Sequence, residues 1–462
     1  MKTTTQTTKA SEPALWRNHN YLLWLASDTG SALGIAIHSF VIPLIALFIT
    51  NSPAQAGIIG ALGMIGRMLG TLPGGVIADR YDRRKLMMLG SGLGLLIGLA
   101  LTLAAATQQL NFATLVGLHL IMSVRNGLFA STSDAALKDL LPDTQLGSAL
   151  AANQGRDAVV ALAGGPLGGI LMALSNTVVM LVIAAAHALA SLAAKFMALP
   201  SHVARVEHTP SKPFETQEAT EPGWFRGFVG ESGQGLRWLW QRGDLRMILI
   251  VSVVVNLGSN AAISSTVFAL QQRGESAATI GLVSASIGVG LLLGSFAAPS
   301  LIKHLPSGAL ACSGLLVVAG SQWVLAFMEP VAAICVVLGF ALCAAPAINA
   351  GIGGYFMAAV PTELLGRATS ASALMSMGAL PLAPLIAGFG FPLWGWTGLQ
   401  IFCAGITTIA CALALKNRPL RSIPKPMHWA QYAADYTAPT KKSAYQAKSS
   451  SSSASDVPRS GC

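Results

Sequence analysis

Twelve stretches of this chain each offer about 20 or more mostly apolar residues, the length a helix needs to cross the hydrocarbon of a bilayer. The first six run over 20–49, 56–77, 86–107, 113–134, 147–174 and 178–199. The second six run over 247–270, 278–302, 308–328, 330–358, 367–390 and 395–416. Only 10% of the 462 residues are charged. A soluble domain averages about a quarter, so lipid must be the solvent for most of this surface. Closed barrels also satisfy their backbone inside a membrane. Their strands alternate over about 10 residues, and these unbroken runs do not. The expected fold is an all-α membrane protein of twelve spans in two bundles of six.

The formal net charge of +10 matters through its placement. The connections after odd-numbered spans are nearly bare, and only Arg273, beside Glu275, breaks the pattern. The connections after even-numbered spans and both tails hold Arg17, Arg80, Arg83, Arg84, Lys85, Lys138, Lys303, Arg367 and Lys416, among others. Lys and Arg mark cytoplasmic loops, so both termini are expected in the cytoplasm. This placement reads as topology and does not point to nucleic acid. The expected domains are a tail over 1–19, a bundle over 20–199, a linker over 200–246, a bundle over 247–416 and an unstructured tail over 417–462. The linker turns amphipathic through Trp224, Phe225, Phe228, Leu236, Trp238 and Leu239, with Arg226, Arg237 and Arg242 interspersed. That pattern suits a helix lying at the bilayer interface. The Thr-rich start shows no apolar core or cleavage site, so no cleaved signal peptide is expected. The cysteines lack metal-ligand spacing or a disulfide framework, and no metal or other cofactor is expected.

The halves look like repeats. Leu141-Pro142 through Gly147-Ser148-Ala149 enters the fifth span, and Val360-Pro361 through Gly366-Arg367-Ala368 enters the eleventh. Internal repeats are characteristic of transporters that bind cargo between them. The densest charge in the first 200 residues, Gly74-Gly75-Val76-Ile77-Ala78-Asp79-Arg80-Tyr81-Asp82-Arg83-Arg84-Lys85, falls between spans 2 and 3. Gly75, Asp79, Arg80, Arg83 and Arg84 complete the signature G-x-x-x-D-R-x-x-R-R/K. With twelve spans and the long central loop, this resembles the major facilitator superfamily over about 17–420. Asn18-His19-Asn20-Tyr21-Leu22-Leu23-Trp24, Leu72-Pro73-Gly74-Gly75, and Arg156-Asp157 with Gly165-Pro166 look most like its drug and siderophore exporters, which include macrolide-efflux and enterobactin-export proteins. The resemblance implies two bundles around a central cavity lined by spans 1, 4, 7 and 10, opened alternately to each face. It also implies that Asp79 latches against the start of span 11, with Arg367 as a further partner.

Other residues carry their own arguments. Gly75 lets helices pack closely, and Arg80, Arg83 and Arg84 are matched with Asp139 or Asp143. Ionisable groups inside spans are expensive and usually functional. The first half holds Asp28, Arg67, Arg125, Arg156 and Asp157 well inside its spans, while the second half holds no Asp, Glu, Lys or Arg deep in a span. Asp28 is either a proton or cation site or a paired carboxylate. Arg125 either tunes a carboxylate, binds an anion or pairs structurally. Arg156 and Asp157 sit about 100° apart on one helix and are expected to need partners elsewhere; Arg67 is a further partner or snorkels. Gly165, Pro166, Gly168 and Gly169 read as a hinge and packing run, matched by Pro381 and Pro384 in span 11. His38, His119 and His187 fall singly in spans and read as packing residues. Asn126, Asn256, Asn260 and Asn349 are placed to bond a cargo or another helix.

The sequence shows no phosphate loop, nucleophile motif or paired catalytic carboxylates, so neither an enzyme nor an ATP-driven pump is supported. The expected function is a monomeric secondary transporter of the cytoplasmic (inner) membrane, a proton-coupled antiporter exporting amphipathic small molecules such as antibiotics. Export of a siderophore or self-made metabolite is the close alternative, followed by metabolite uptake. A non-transporting sensor on the same fold is the reading from another class.

Overall fold

The computed structural model describes residues 15–198 and 236–437. Helices account for nearly all of them. The first half comprises α1 (His19–Thr50), α2 (Pro53–Arg80), α3 (Arg83–Ala106), α4 (Phe112–Leu128), α5 (Thr132–Leu140), α6 (Asp143–Leu174) and α7 (Asn176–Phe196). The second comprises α8 (Gly243–Gln272), α9 (Ala277–His304), α10 (Ser307–Leu325), α11 (Val331–Cys343), α12 (Ala345–Ala359), α13 (Thr362–Ala379) and α14 (Leu382–Lys416). Ten stretches among the described residues are long and apolar enough to cross a membrane. The last, 367–416, holds two passes. Gly395 adopts φ 61° and ψ −169°, a conformation open to glycine alone. The Trp394 and Phe402 rings lie 4.9 Å apart, although eight residues of straight helix span about 12 Å. The chain therefore turns back at Gly395. With α2 added, the path accommodates the twelve expected spans.

Short polar residues set the helix starts. Asn18, Ser52, Asp82, Asn111, Ser175 and Ser276 each accept a backbone N–H of the first turn, satisfying donors a helix leaves open. Asp82 does so for Lys85 at 3.0 Å, which leaves only Tyr81 and Asp82 between α2 and α3. Spans 4 and 10 are both broken, at Phe129–Ser131 and at Ala344. Leu96, Leu103, Phe296, Val336 and Phe340 are exposed on the outside, the surface expected to meet lipid.

Four differences from the sequence expectations concern packing. Close approach occurs at Gly74, where a Cβ would strike the Leu128 backbone, while a Cβ at Gly75 meets nothing within 4 Å. Gly66, Gly70 and Gly74 recur every fourth residue, forming the stripe of α2 that packs on α4. Ordered chain continues past 416: Arg418–Arg421 forms α15 and Trp429–Thr437 forms α16. Leu420 and Ile423 are buried beneath the second half, because this short apolar stretch covers the ends of α8, α10 and α12. Of the amphipathic linker, Trp224, Phe225 and Phe228 lie outside the described residues, whereas Leu239 is buried in the second-half core. Finally, α8 begins at Gly243, four residues before the predicted start, and carries Asp244 fully buried in its first turn.

That last carboxylate sits at the end of its span, not deep within it, yet it is fully buried. Arg242 donates to both Asp244 oxygens at 3.1 and 2.6 Å, and Tyr355 donates its hydroxyl at 2.5 Å. Arg242 also lies 5.7 Å from the Trp238 ring. Removing one partner of a buried pair strands the other charge and costs about 3–5 kcal/mol. Arg242→Met is expected to destabilise the protein by that order, read as a lower thermal unfolding midpoint in detergent. Joint replacement Arg242→Met with Asp244→Asn is expected to recover most of the loss.

Contacts between the halves gather at the ends of α1, α2, α8 and α9 remote from the charged turn, the bare end. Leu47 and Ala56 pack with Phe268 and Ala387. Gln272 donates to Asn51 at 2.9 Å. Gly57 and Gly388 bring α2 and α14 into backbone contact, and a Cβ at Gly165 or Gly169 would strike α9 at Ser284 or Ala277. Gly164 and Gly168 face α1 instead. The Gly-Pro run thus packs one helix against two, and α6 stays continuous through Pro166.

Candidate cargo cavity

Two cavities meet inside the spans and share Ile35, Arg67 and Asn126. The first, about 290 Å³, lies within the first half and holds six ionisable side chains: Asp28, Arg67, Arg125, Asp134, Arg156 and Asp157. The second, about 360 Å³, lies between the halves, where Phe40, Leu44, Met64, Ile263 and Phe268 make the wall largely apolar and His119 and Ser123 add polar points. A third, about 410 Å³, sits in the second half with Asn256 and Asn349 facing Leu315, Ile352 and Phe356. Asn260 donates within its own helix to the Asn256 carbonyl at 2.9 Å.

Arg156 organises the charged cavity. Its guanidinium reaches Asp28 across the helix interface at 2.6 Å and Asp157 beside it at 2.7 Å. The expectation that neighbours on one helix would not meet is therefore corrected: the arginine side chain is long enough to fold back along α6. A contact to Thr29 Oγ1 at 3.4 Å completes the bridge between α1 and α6. The Asp157 side chain remains 57% exposed, although it lies 14 residues, or about 21 Å, into α6. With the bare end packed shut, that exposure marks a cavity opening toward the charged end.

Asp134, which sequence reasoning passed over, faces the same space. The break after α4 turns α5 so that Asp134 looks into the bundle, and no hydrogen bond or ion pair engages it among the described residues. A carboxylate four residues before Lys138 resembles an ordinary surface pair, so the sequence carried no signal for it. Arg125 is buried and committed: Nε donates to the Gly90 carbonyl at 2.6 Å, and its terminal nitrogen donates to Asn126 Oδ1 at 2.8 Å. Arg67 lines both cavities, with no side-chain hydrogen bond or ion pair among the described residues.

The signature turn is anchored to its own half. Arg83 pairs with Asp139 and donates to the Ala135 carbonyl at 3.2 Å. Arg84 donates to the Ala194 carbonyl at 3.3 Å and to that of Lys195. Arg80 is exposed, and Arg367 is half-buried in α13. The side chains of Asp79, Asp143, Thr362 and Glu363 lie outside the described residues, and with them the expected latch.

The geometry is two helical halves, sealed at one end, around a cavity charged on one side. A profile for the Major Facilitator Superfamily matches residues 28–369. The chain belongs to the major facilitator superfamily. It is 31% identical to the uncharacterized MFS-type transporter YfiS of Bacillus subtilis (strain 168) over 167 residues, 35% of this chain. That match spans only 38% of the relative's length. Solved structures share the fold at low identity. A D-xylose–proton symporter superposes with TM-score 0.62 at 14% identity, covering 88% of this chain and 98% of that one. A bacterial homologue of the iron transporter ferroportin, in an inward-facing state, gives 0.63 at 15%, covering 88% and 100%. A bacterial homologue of the human lysosomal transporter Spinster, inward-facing and unoccupied, gives 0.60 at 16%, covering 91% and 96%. As a member of this superfamily, the protein is a multi-pass secondary transporter that moves small molecules by alternating access.

Proposed function

We propose that this transporter exports amphipathic small molecules bearing a cationic group, in exchange for protons. The observation that carries the reading is a cluster of three carboxylates around Arg156, in a cavity where Arg67 and Arg125 complete an even balance of charge, joined to an apolar chamber. Around Arg156 stand Asp28, Asp157 and the unpaired Asp134. Arg125 is held by Gly90 and Asn126 and is not offered to a cargo. An ammonium group is received in the charged cavity beside Asp134, and the apolar chamber adjoins that cavity at Ile35, Arg67 and Asn126.

The charge pattern supports the export direction. The end carrying Arg80 to Lys85 is cytoplasmic by the distribution of Lys and Arg. The cavity opens toward that end, so the described state is one that can take up cargo from inside the cell, as export requires. The exporter-like stretches at Asn18–Trp24 and Leu72–Gly75 support the same direction.

Ethidium, a fluorescent cationic amphiphile, provides the test. Cells producing the protein are expected to accumulate less ethidium than cells without it, and a protonophore is expected to abolish the difference. Accumulation indifferent to both the protein and the protonophore would reject proton-driven export.

A further inference from the structure

Three histidines that the sequence presents singly converge in the first half. The His38 and His119 rings stack with centroids 5.0 Å apart and planes at 28°. His187 packs one turn away, its Nε2 3.0 Å from where a Cβ would stand at Gly34, one helical turn before His38. Glycines carve the slots: a Cβ at Gly63 would strike His119, and one at Gly94 would strike the His187 ring. The three residues are 1%, 5% and 0% exposed. Both ring nitrogens of His38 and of His187, and Nδ1 of His119, have no hydrogen-bond partner from protein among the described residues.

Packing alone would favour phenylalanine or leucine in these slots, because a buried polar atom without a partner costs free energy. Five such nitrogens in one cluster point to a second state in which they are used. His119 lines the chamber between the halves, so the stack is one ring away from the space that fills with water when the bare end opens. It lies about 18 Å from the bare end of α1, counting 12 residues from His38 to Thr50.

We infer that the His38–His119 stack, backed by His187, is a proton-binding site that loads when the bare end opens. The inference rests on the proton exchange proposed above and names the residues that carry it out. The charged groups around the stack are cationic: Arg125 from α4 and, across the chamber wall, Arg67 from α2. The α7 face contributes His187, and on α1 the nearest carboxylate is Asp28, ten residues or about 15 Å away. No described carboxylate compensates an imidazolium in the closed arrangement, so the stack holds its proton where water reaches it. A proton on His119 and a cationic cargo in the adjoining chamber repel each other, so loading one favours expulsion of the other.

The test needs no cargo. Spin labels at Asn51→Cys and Gln272→Cys report the separation of the halves at the bare end in nanodiscs. Uptake of one proton shifts the ratio of open to closed by up to about tenfold per pH unit. The otherwise wild-type protein is expected to open on acidification, and His38→Gln and His119→Gln are each expected to flatten the response. An equal response in both variants would overturn the assignment and leave proton exchange standing. Absence of a response in the wild type would overturn the assignment alone, since the protonophore assay judges export separately. A second measurement replaces no histidine. Ring ¹⁵N spectra at acid pH are expected to show more imidazolium in the free protein than in protein cross-linked between 51 and 272, and equal amounts would overturn the site.

Discussion

Arg156→Met is expected to abolish export, leaving ethidium accumulation at the level of cells without the protein. The substitution removes a cation that two carboxylates share and that ties α1 to α6. The two contacts differ in weight. Asp157 is more than half exposed, and a solvated pair contributes about 0–1 kcal/mol. The Asp28 and Arg156 side chains are 18% and 13% exposed, so Asp28 is the partner whose stranding hurts, at about 3 kcal/mol. Adding Asp28→Asn to Arg156→Met removes the stranded charge and is expected to restore folding, seen as a recovered unfolding midpoint. Export is expected to stay absent in the double variant, because the site then lacks both the cation that holds its shape and a carboxylate that receives cargo. Recovered export in the double variant would reduce Arg156 to a structural brace.

The sequence made the membrane class, the two halves and the path of the chain legible, since apolar length and Lys/Arg placement are local properties. Its errors arose where a feature depends on which residues become neighbours. Asp244 looked like linker because α8 starts early, and nothing local announced that Tyr355 would receive it. Asp134, four residues before Lys138, carried no local signal, and only the break after α4 turned it inward. His38, His119 and His187 are far apart in the chain, and only packing against Gly34, Gly63 and Gly94 brings them together. Arg156 and Asp157 were separated by helix geometry alone, which ignores the reach of a long side chain. Conversely, Asp28, Arg67, Arg125, Arg156 and Asp157 were identified by the cost of charge inside a span and Asn126 by its place on an expected cavity helix, and all six line one cavity.

Alternation of access is the central claim, and the bare end is where it is most directly tested. Gln272 and Asn51 meet across the halves there, above the seal formed by Leu47, Ala56, Phe268 and Ala387. In a background lacking other cysteines, Asn51→Cys and Gln272→Cys can be joined by a short bismaleimide. The bridge fixes the closed seal and leaves the opposite mouth free. The joined protein is expected to export no ethidium while the purified, cross-linked transporter still binds it, because the charged cavity stays open to the other side. Export that continues after complete cross-linking would contradict the account, since cargo would then leave without separation of the bare end.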